Sequence, residues 1–153
     1  MKALNFIKLK NISGNATHPL HSGEIIVLSW NISYAKDSPY ADKPAIQDLN
    51  FTKYADLSSP DIILACCNST KIDQAILSVS TSGSDPYDTM SMIMTNVYVT
   101  SIAPHSSTGE YKSTETITLS FEKVNIIHRE RKSNNIIEKS TMGWDVKNNI
   151  VAL

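Results

Sequence analysis

The sequence predicts a mainly β protein, an antiparallel β-barrel or pair of packed sheets that carries one short α-helix. Three observations lead there. Apolar and polar residues alternate with a period of two in segment after segment, the pattern of half-buried strands. Two of the longest segments change phase midway, as strands do when they bend around a barrel or from one packed sheet to the next. One stretch alone carries a helix start, an apolar run and a helix stop.

In chain order, Phe6 to Ile12 reads as a first strand, broken by Gly14-Asn15 and Thr17-His18-Pro19. Glu24 to Tyr34 is a strong strand, with Ile26, Leu28, Trp30 and Ile32 on one face and Ile25, Val27, Ser29 and Asn31 on the other. The first set is the more apolar, so Ile26, Leu28 and Trp30 are expected in the barrel core together with Phe51 and Phe121. An aspartate at Leu28 or Trp30 would then bury a charge at a cost comparable to the whole folding stability, about 5–15 kcal/mol. Asp37 to Pro44 is a loop, because Pro39 and Pro44 exclude a central strand. Leu49 and Phe51 alternate with Asp48, Asn50 and Thr52 in the next strand.

Ser59-Pro60-Asp61 signals the helix. Ser59 can cap free N–H groups, Pro60 lacks an N–H that the first turn does not need, and Asp61 suits the positive helix end. Ile62 to Cys67 is its apolar run and Asn68-Ser69 ends it. Lys71 to Ser80 alternates on Ala75, Leu77 and Val79, and Thr81 to Pro86 is a turn. In Thr89 to Ile102 the apolar set passes from Met90, Met92 and Met94 to Val97 and Val99, which places a bulge near Thr95-Asn96. In Thr114 to Arg129 it passes from Ile117, Leu119 and Phe121 to Val124, Ile126 and His128, with the slip at Glu122-Lys123. Arg129 to Asn135 is a charged turn, and Ile136-Ile137 and Gly143 to Val146 form a last pair of strand-like segments. The whole of 1–153 reads as one domain, of a length that supports one core.

A net charge of −1, from 14 Lys and Arg against 15 Asp and Glu, argues against nucleic acid as a partner and leaves self-association unopposed by long-range repulsion. Met1 to Phe6 does not open a signal peptide, and no apolar run is long enough to span a bilayer, so the expectation is a cytoplasmic protein without membrane insertion. Adjacent Cys66 and Cys67 point about 100° apart on a helix, which excludes a disulfide between them and leaves packing as their role.

The search for chemistry ends without a site. His18 and His21 are three apart across a proline, with no carboxylate cluster beside them, and His105 and His128 stand alone, so no metal site is expected. No nucleophile elbow, phosphate-cradling glycine loop or paired carboxylates occur, so the expectation is no catalytic residue, no cofactor and no enzyme. The Asn-x-Ser/Thr triplets at Asn11, Asn15, Asn31, Asn50 and Asn68 read as coincidence in a chain rich in these residues, and Arg129 to Lys132 as a solvated strand end. A β protein with semi-apolar strand faces and no active site suggests an assembly subunit.

Five blocks carry a resemblance. His21 to Trp30 (His-Ser-Gly-Glu-Ile-Ile-Val-Leu-Ser-Trp), Gln47 to Tyr54, Ser59-Pro60 with Leu64-Ala65-Cys66, Thr114 to Phe121, and Gly143-Trp144-Asp145 resemble the Hcp family, the haemolysin co-regulated tube subunits of bacterial type VI secretion systems, in the family's order and over nearly the whole chain. The resemblance implies a phage tail-tube-like β-barrel with one helix. It implies homohexameric rings that stack into a tube inside a contractile sheath, with sheath and spike proteins as partners and small effector proteins carried in the channel. Export would follow a route independent of a signal peptide. Where the family often has Ser-Trp-Ser-Trp-Gly, this chain has Ser29-Trp30-Asn31-Ile32-Ser33, so Ser29 and Asn31 are expected on the channel-facing side. The loop Lys36 to Ala45, with Pro39, Tyr40, Lys43 and Pro44, falls where the family has a longer Gly-rich extension, and is expected to serve ring contacts or stacking. The alternative is a stand-alone binding module or secreted effector that forms no tube.

Overall fold

The computed structural model describes residues 2–152. The chain forms β1 (Ala3–Leu9), β2 (Ile25–Val27), β3 (Ser29–Asn31), β4 (Tyr34–Ala35), β5 (Ala45–Ile46), β6 (Leu49–Tyr54), α1 (Ser59–Asn68), β7 (Ile72–Thr81), β8 (Asp88–His105), β9 (Thr114–Arg131), β10 (Ile137–Asp145) and β11 (Ile150–Val151). The expected class, mainly β and antiparallel with one short helix, is the class observed.

Pairing runs β1 to β7, β7 to β8, β8 to β9, the first half of β9 to β6, and β6 to β3, antiparallel throughout. β2, one residue before β3, pairs back to β1. The circuit therefore closes through the chain itself at Leu28, whose N–H donates to the Thr52 carbonyl at 2.8 Å. The second half of β9 stays paired with β8 but exchanges β6 for β10, which carries β11 as a short outer strand. β4 and β5 form a separate two-stranded arm.

The core corrects one expectation at the strand that closes the barrel. Phe51 and Phe121 are buried as expected, but Ile26 and Leu28 are 46% and 41% exposed, while Ile25 and Val27 are buried. The reason is the transfer at Leu28. Before it the chain pairs with β1 and turns its odd positions inward; after it the chain pairs with β6 and turns its even positions inward. Trp30 lies opposite Phe51 in the register, packs half-buried against the core, and donates its indole N–H to Asn5 Oδ1 at 3.1 Å. The even face is thus right for Trp30 and Ile32 and wrong for Ile26 and Leu28, and an aspartate at Leu28 meets solvent rather than core.

The expected phase changes in β8 and β9 lie directly opposite each other. Inward positions pass from Met92 and Met94 to Val97 and Val99 in β8, and from Leu119 and Phe121 to Val124 in β9. Asn96 takes a left-handed conformation (φ 53°) and its amide donates to Glu122 Oε2 at 2.8 Å. Each strand absorbs one residue at this point, so the register from Thr95↔Lys123 to Val97↔Phe121 is unbroken. Register shifts occur elsewhere, between Val79 and Ser80 and between Val99 and Ser101.

Helix α1 covers β8 with Ile62 and Ala65 buried. Burial of the Ile62 side chain contributes about 1.5–3 kcal/mol. Cys66 is half-buried and Cys67 exposed, so packing accounts for the first only. Left-handed Ser69 (φ 55°) ends the helix where Asn68-Ser69 was expected to. The N-terminus departs from expectation, because the cap position is Ser58, no side chain caps it, and Ser59 turns inward instead. The last expected pair of short segments is one nine-residue strand, β10. Its middle, Glu138 to Met142, is exposed on both faces, so no period of two survives in the sequence to reveal it. Among the described residues, no helix is long and apolar enough to cross a membrane.

Candidate assembly surfaces

Ser29 and Asn31 are both exposed and lie in two cross-strand rows on the outer face of β3, β6 and β9. One row is Ser29, Thr52 and Thr116; the other is Asn31, Asn50 and Thr118. Alternation puts Leu49, Phe51 and Lys53 inside β6, which leaves its hydroxyl and amide side chains outside. Thr118 Oγ1 donates to Asn50 Oδ1 at 2.7 Å, tying two strands together across this face. The result is a neutral polar wall, able to donate and accept hydrogen bonds without a fixed charge.

The arm holds the expected loop residues at its tip. Tyr40 is 91% exposed, Pro39 and Lys43 are exposed, and Pro44 is half-buried. Pro44 lines a cleft of about 520 Å³ between the arm and β10, with Tyr34, Ile46, Val124, Met142 and Trp144. Asn149 Nδ2 donates to the Asp42 carbonyl at 3.4 Å and ties the arm to the turn before β11. Burial pushes the Tyr34 hydroxyl above the ordinary tyrosine range, and it pushes the Asp48 carboxyl, just past the arm, above the ordinary carboxylate range. Apolar side chains are exposed at two separate places: Ile26 and Leu28 where the circuit closes, and Met142, Ile150 and Val151 on β10 and β11.

A buried polar cluster seats the helix. Lys53 is 0% exposed, and its ammonium donates to Glu115 Oε1 at 2.6 Å and Ser59 Oγ at 3.1 Å and pairs with Asp56 Oδ1 at 3.1 Å. Ser59 Oγ donates to Glu115 Oε1 at 2.8 Å and accepts the Asp56 N–H at 3.0 Å. Sequence reasoning passed over this cluster. The available signal was parity, since Lys53 falls in phase with Leu49 and Phe51, and Glu115 in phase with Ile117 and Leu119.

His21 corrects the expectation that no carboxylates join the histidines. It is 5% exposed, with Nδ1 at 2.9 Å from Glu24 Oε2 and Nε2 at 2.7 Å from Asp88 Oδ1. His18 lies 5.5 Å away, ring to ring. Glu24 could have been suspected from its three-residue spacing; Asp88 comes from the start of β8, 67 residues along the chain. At the end of β10, the backbone N–H and side-chain amide of Asn148 hold the Asp145 carboxyl below the ordinary range, with Lys123 adding to the effect. Glu122 is likewise held low, first by Asn96 and then by Lys147.

Residues 6–128 match the family described as "Type VI secretion system effector, Hcp". The chain is 29% identical over 157 residues to protein hcp1 of Pseudomonas aeruginosa strain PAO1, covering 96% of this chain and 97% of that one. The structure of Hcp1 from Salmonella typhimurium superposes with a TM-score of 0.85 at 29% identity, over 99% of this chain and 100% of that one. A structure described as a type six secretion system protein superposes with a TM-score of 0.90 over 99% and 100% of the two chains; at 20% identity that likeness speaks to fold alone. With the expected blocks, the barrel and the helix all in place, the chain belongs to the Hcp family of type VI secretion proteins.

Proposed function

We propose that this chain is a tube subunit: it forms homohexameric rings, the rings stack into the type VI secretion tube, and small effector proteins travel in the channel. The observation that carries this reading is its end-to-end likeness to Hcp1 of Salmonella typhimurium, which leaves no part of that chain uncovered. The surfaces support it. Two different apolar patches, Ile26 with Leu28 where the circuit closes and Met142 with Ile150 and Val151 on the outer strands, offer the unlike surfaces that a head-to-tail ring uses. Ser29 and Asn31 belong to a neutral polar wall suited to a channel that holds varied cargo. Pro39, Tyr40, Lys43 and Pro44 sit on the exposed arm, which in this reading serves ring contacts or stacking. Sheath and spike proteins are the further partners in this reading, and the whole of 1–153 acts as one domain exported without a signal peptide.

Native mass spectrometry and negative-stain imaging test it. Six-membered rings are expected, and Ile26→Asp/Leu28→Asp is expected to give folded protein that no longer closes them. Monomers alone at high concentration would overturn the reading. For carriage, Asn31→Trp is expected to reduce co-purification of a bound effector while leaving rings intact; unchanged binding would remove this wall from the cargo site. Tyr40→Ala is expected to leave single rings intact and weaken their stacking.

A further inference from the structure

We propose that His21 is a pH-sensitive latch, which fastens the segment of residues 13–24 to β8 when protonated and loosens it when neutral. The device belongs to the folded chain and does not depend on ring or tube assembly.

The segment is a compact excursion between β1 and β2, held to itself by main-chain bonds from Gly14 to Gly23, Ala16 to Glu24 and Gly23 to Ala16. Gly14 permits the close return, since a side-chain carbon there would stand 2.5 Å from the Glu24 carbonyl oxygen. The excursion folds back so that Phe6, an outward residue of β1, is only 5% exposed. The ring of His21 stacks on Phe6 at 4.8 Å and 17°, and the ring of His18 meets it at 5.1 Å.

The bonding pattern assigns different proton counts to the two histidines. His18 Nδ1 accepts the Leu20 N–H at 3.2 Å, and Nε2 faces the Thr81 carbonyl at 3.5 Å, so one acceptor and one donor nitrogen are required, which is the neutral ring. His21 has a carboxylate oxygen at both nitrogens, Glu24 at 2.9 Å and Asp88 at 2.7 Å. A neutral imidazole donates to one of these and turns a lone pair toward the other. Only the imidazolium donates to both. The Phe6 face beneath the ring also favours a cation.

Other charges nearby act in both directions. Glu24, on the segment itself, and Asp88, at the start of β8, favour the imidazolium. Lys8 on β1 and Arg129 on β9 line the same cleft and oppose it, as does any charge on His18. Arg129 is partly spent, since its Nη1 donates to Ser91 Oγ at 2.9 Å and to the Asp88 carbonyl at 3.5 Å. As pH rises and the proton leaves, one of the two links becomes a repulsion between a lone pair and a carboxylate. Asp88 is the link that matters for docking, because Glu24 belongs to the same segment.

The test is wild-type protein followed by NMR and amide hydrogen exchange as pH is raised until His21 loses one ring proton, read from its ring nitrogen shifts. Protons on both His21 nitrogens are expected at the acid end. Protection of the Ala16 and Gly23 amides, corrected for intrinsic exchange, is expected to fall roughly tenfold to a hundredfold toward the alkaline end, the equivalent of one charge-assisted hydrogen bond. Asp88→Asn should abolish that dependence while keeping the segment docked, since a neutral His21 can donate to Glu24 and accept from the new amide. Protection that stays flat in the wild type, a single His21 nitrogen protonated at the acid end, or an undiminished slope in Asp88→Asn would each overturn the proposal.

Discussion

Replacing Lys53 by methionine keeps the length of the side chain and removes its charge. Each of the three ammonium protons has a partner in the folded chain, Glu115, Ser59 and Asp56, all within 3.1 Å. Methionine leaves Glu115, 3% exposed, with the Ser59 hydroxyl as its remaining donor, and returns Asp56 to Ser58 alone. A buried charge stripped of its partner costs about 3–5 kcal/mol, a large part of a total of about 5–15 kcal/mol. With a urea dependence of about 2 kcal/mol per molar, the unfolding midpoint should fall by about 1.5–2.5 M.

The assay is equilibrium unfolding in urea, at one fixed protein concentration because self-association raises apparent stability. The companion is Lys53→Met/Glu115→Leu. If the single change is costly because it strands a carboxylate, removing that carboxylate as well should recover at least about 1–2 kcal/mol of the loss. Asp56 can then turn to water, since its side chain is 13% exposed. A Lys53→Met midpoint within about 0.3 M of wild type, well below the shift worked out above, would refute the reasoning. So would a double variant that costs the sum of the two single changes.

Three further outcomes follow from the same geometry. Ile25→Asp should abolish soluble folded protein, whereas Leu28→Asp should leave the near-ultraviolet circular dichroism of the subunit intact, because only the first side chain points into the barrel. Gly143→Ala should detach β11 from β10, seen as loss of amide protection at Ala152, since the added carbon would stand 1.6 Å from the Ala152 carbonyl oxygen. The Asp145 carboxyl is held low, so its stabilisation of the turn after β10 is complete above the ordinary aspartate value of about 3.9 and is lost only as pH falls through the lower folded value. An NMR titration midpoint for Asp145 at or above that ordinary value would contradict this.

Strands with one dry face and one wet face were legible, because alternation reports a difference between faces. The first half of β9 and the paired phase changes of β8 and β9 are such cases, whereas β7 follows the pattern only at Ala75 and Leu77, since Ser78 and Ser80 on its other face are buried too. Where both faces are alike, alternation carries no sign. The strand from Ile25 to Ile32 offered two semi-apolar faces, and its inward side switches at Leu28 as the chain leaves β1 for β6; that exchange of partners is a tertiary event. β10 is wet on both faces through its middle and gave no period at all.

The candidate surfaces follow the same logic with polarity reversed. In β6 and the facing part of β9, the charged side chains Lys53 and Glu115 point inward and the neutral polar ones outward. A residue's type alone predicts the opposite, since lysine and glutamate are almost never fully buried unless paired. Parity makes the exception readable: two opposite charges, each in step with the apolar residues of its own strand, can share a barrel interior if the register sets them across from each other, and Lys53↔Glu115 is such a pair. No comparable rule finds Asp88 for His21. The partner lies 67 residues away, at the mouth of a strand, and only the folding-back of residues 13–24 brings it to the ring. What a strand's own alternation imposes can be read before folding; what a loop acquires by docking cannot.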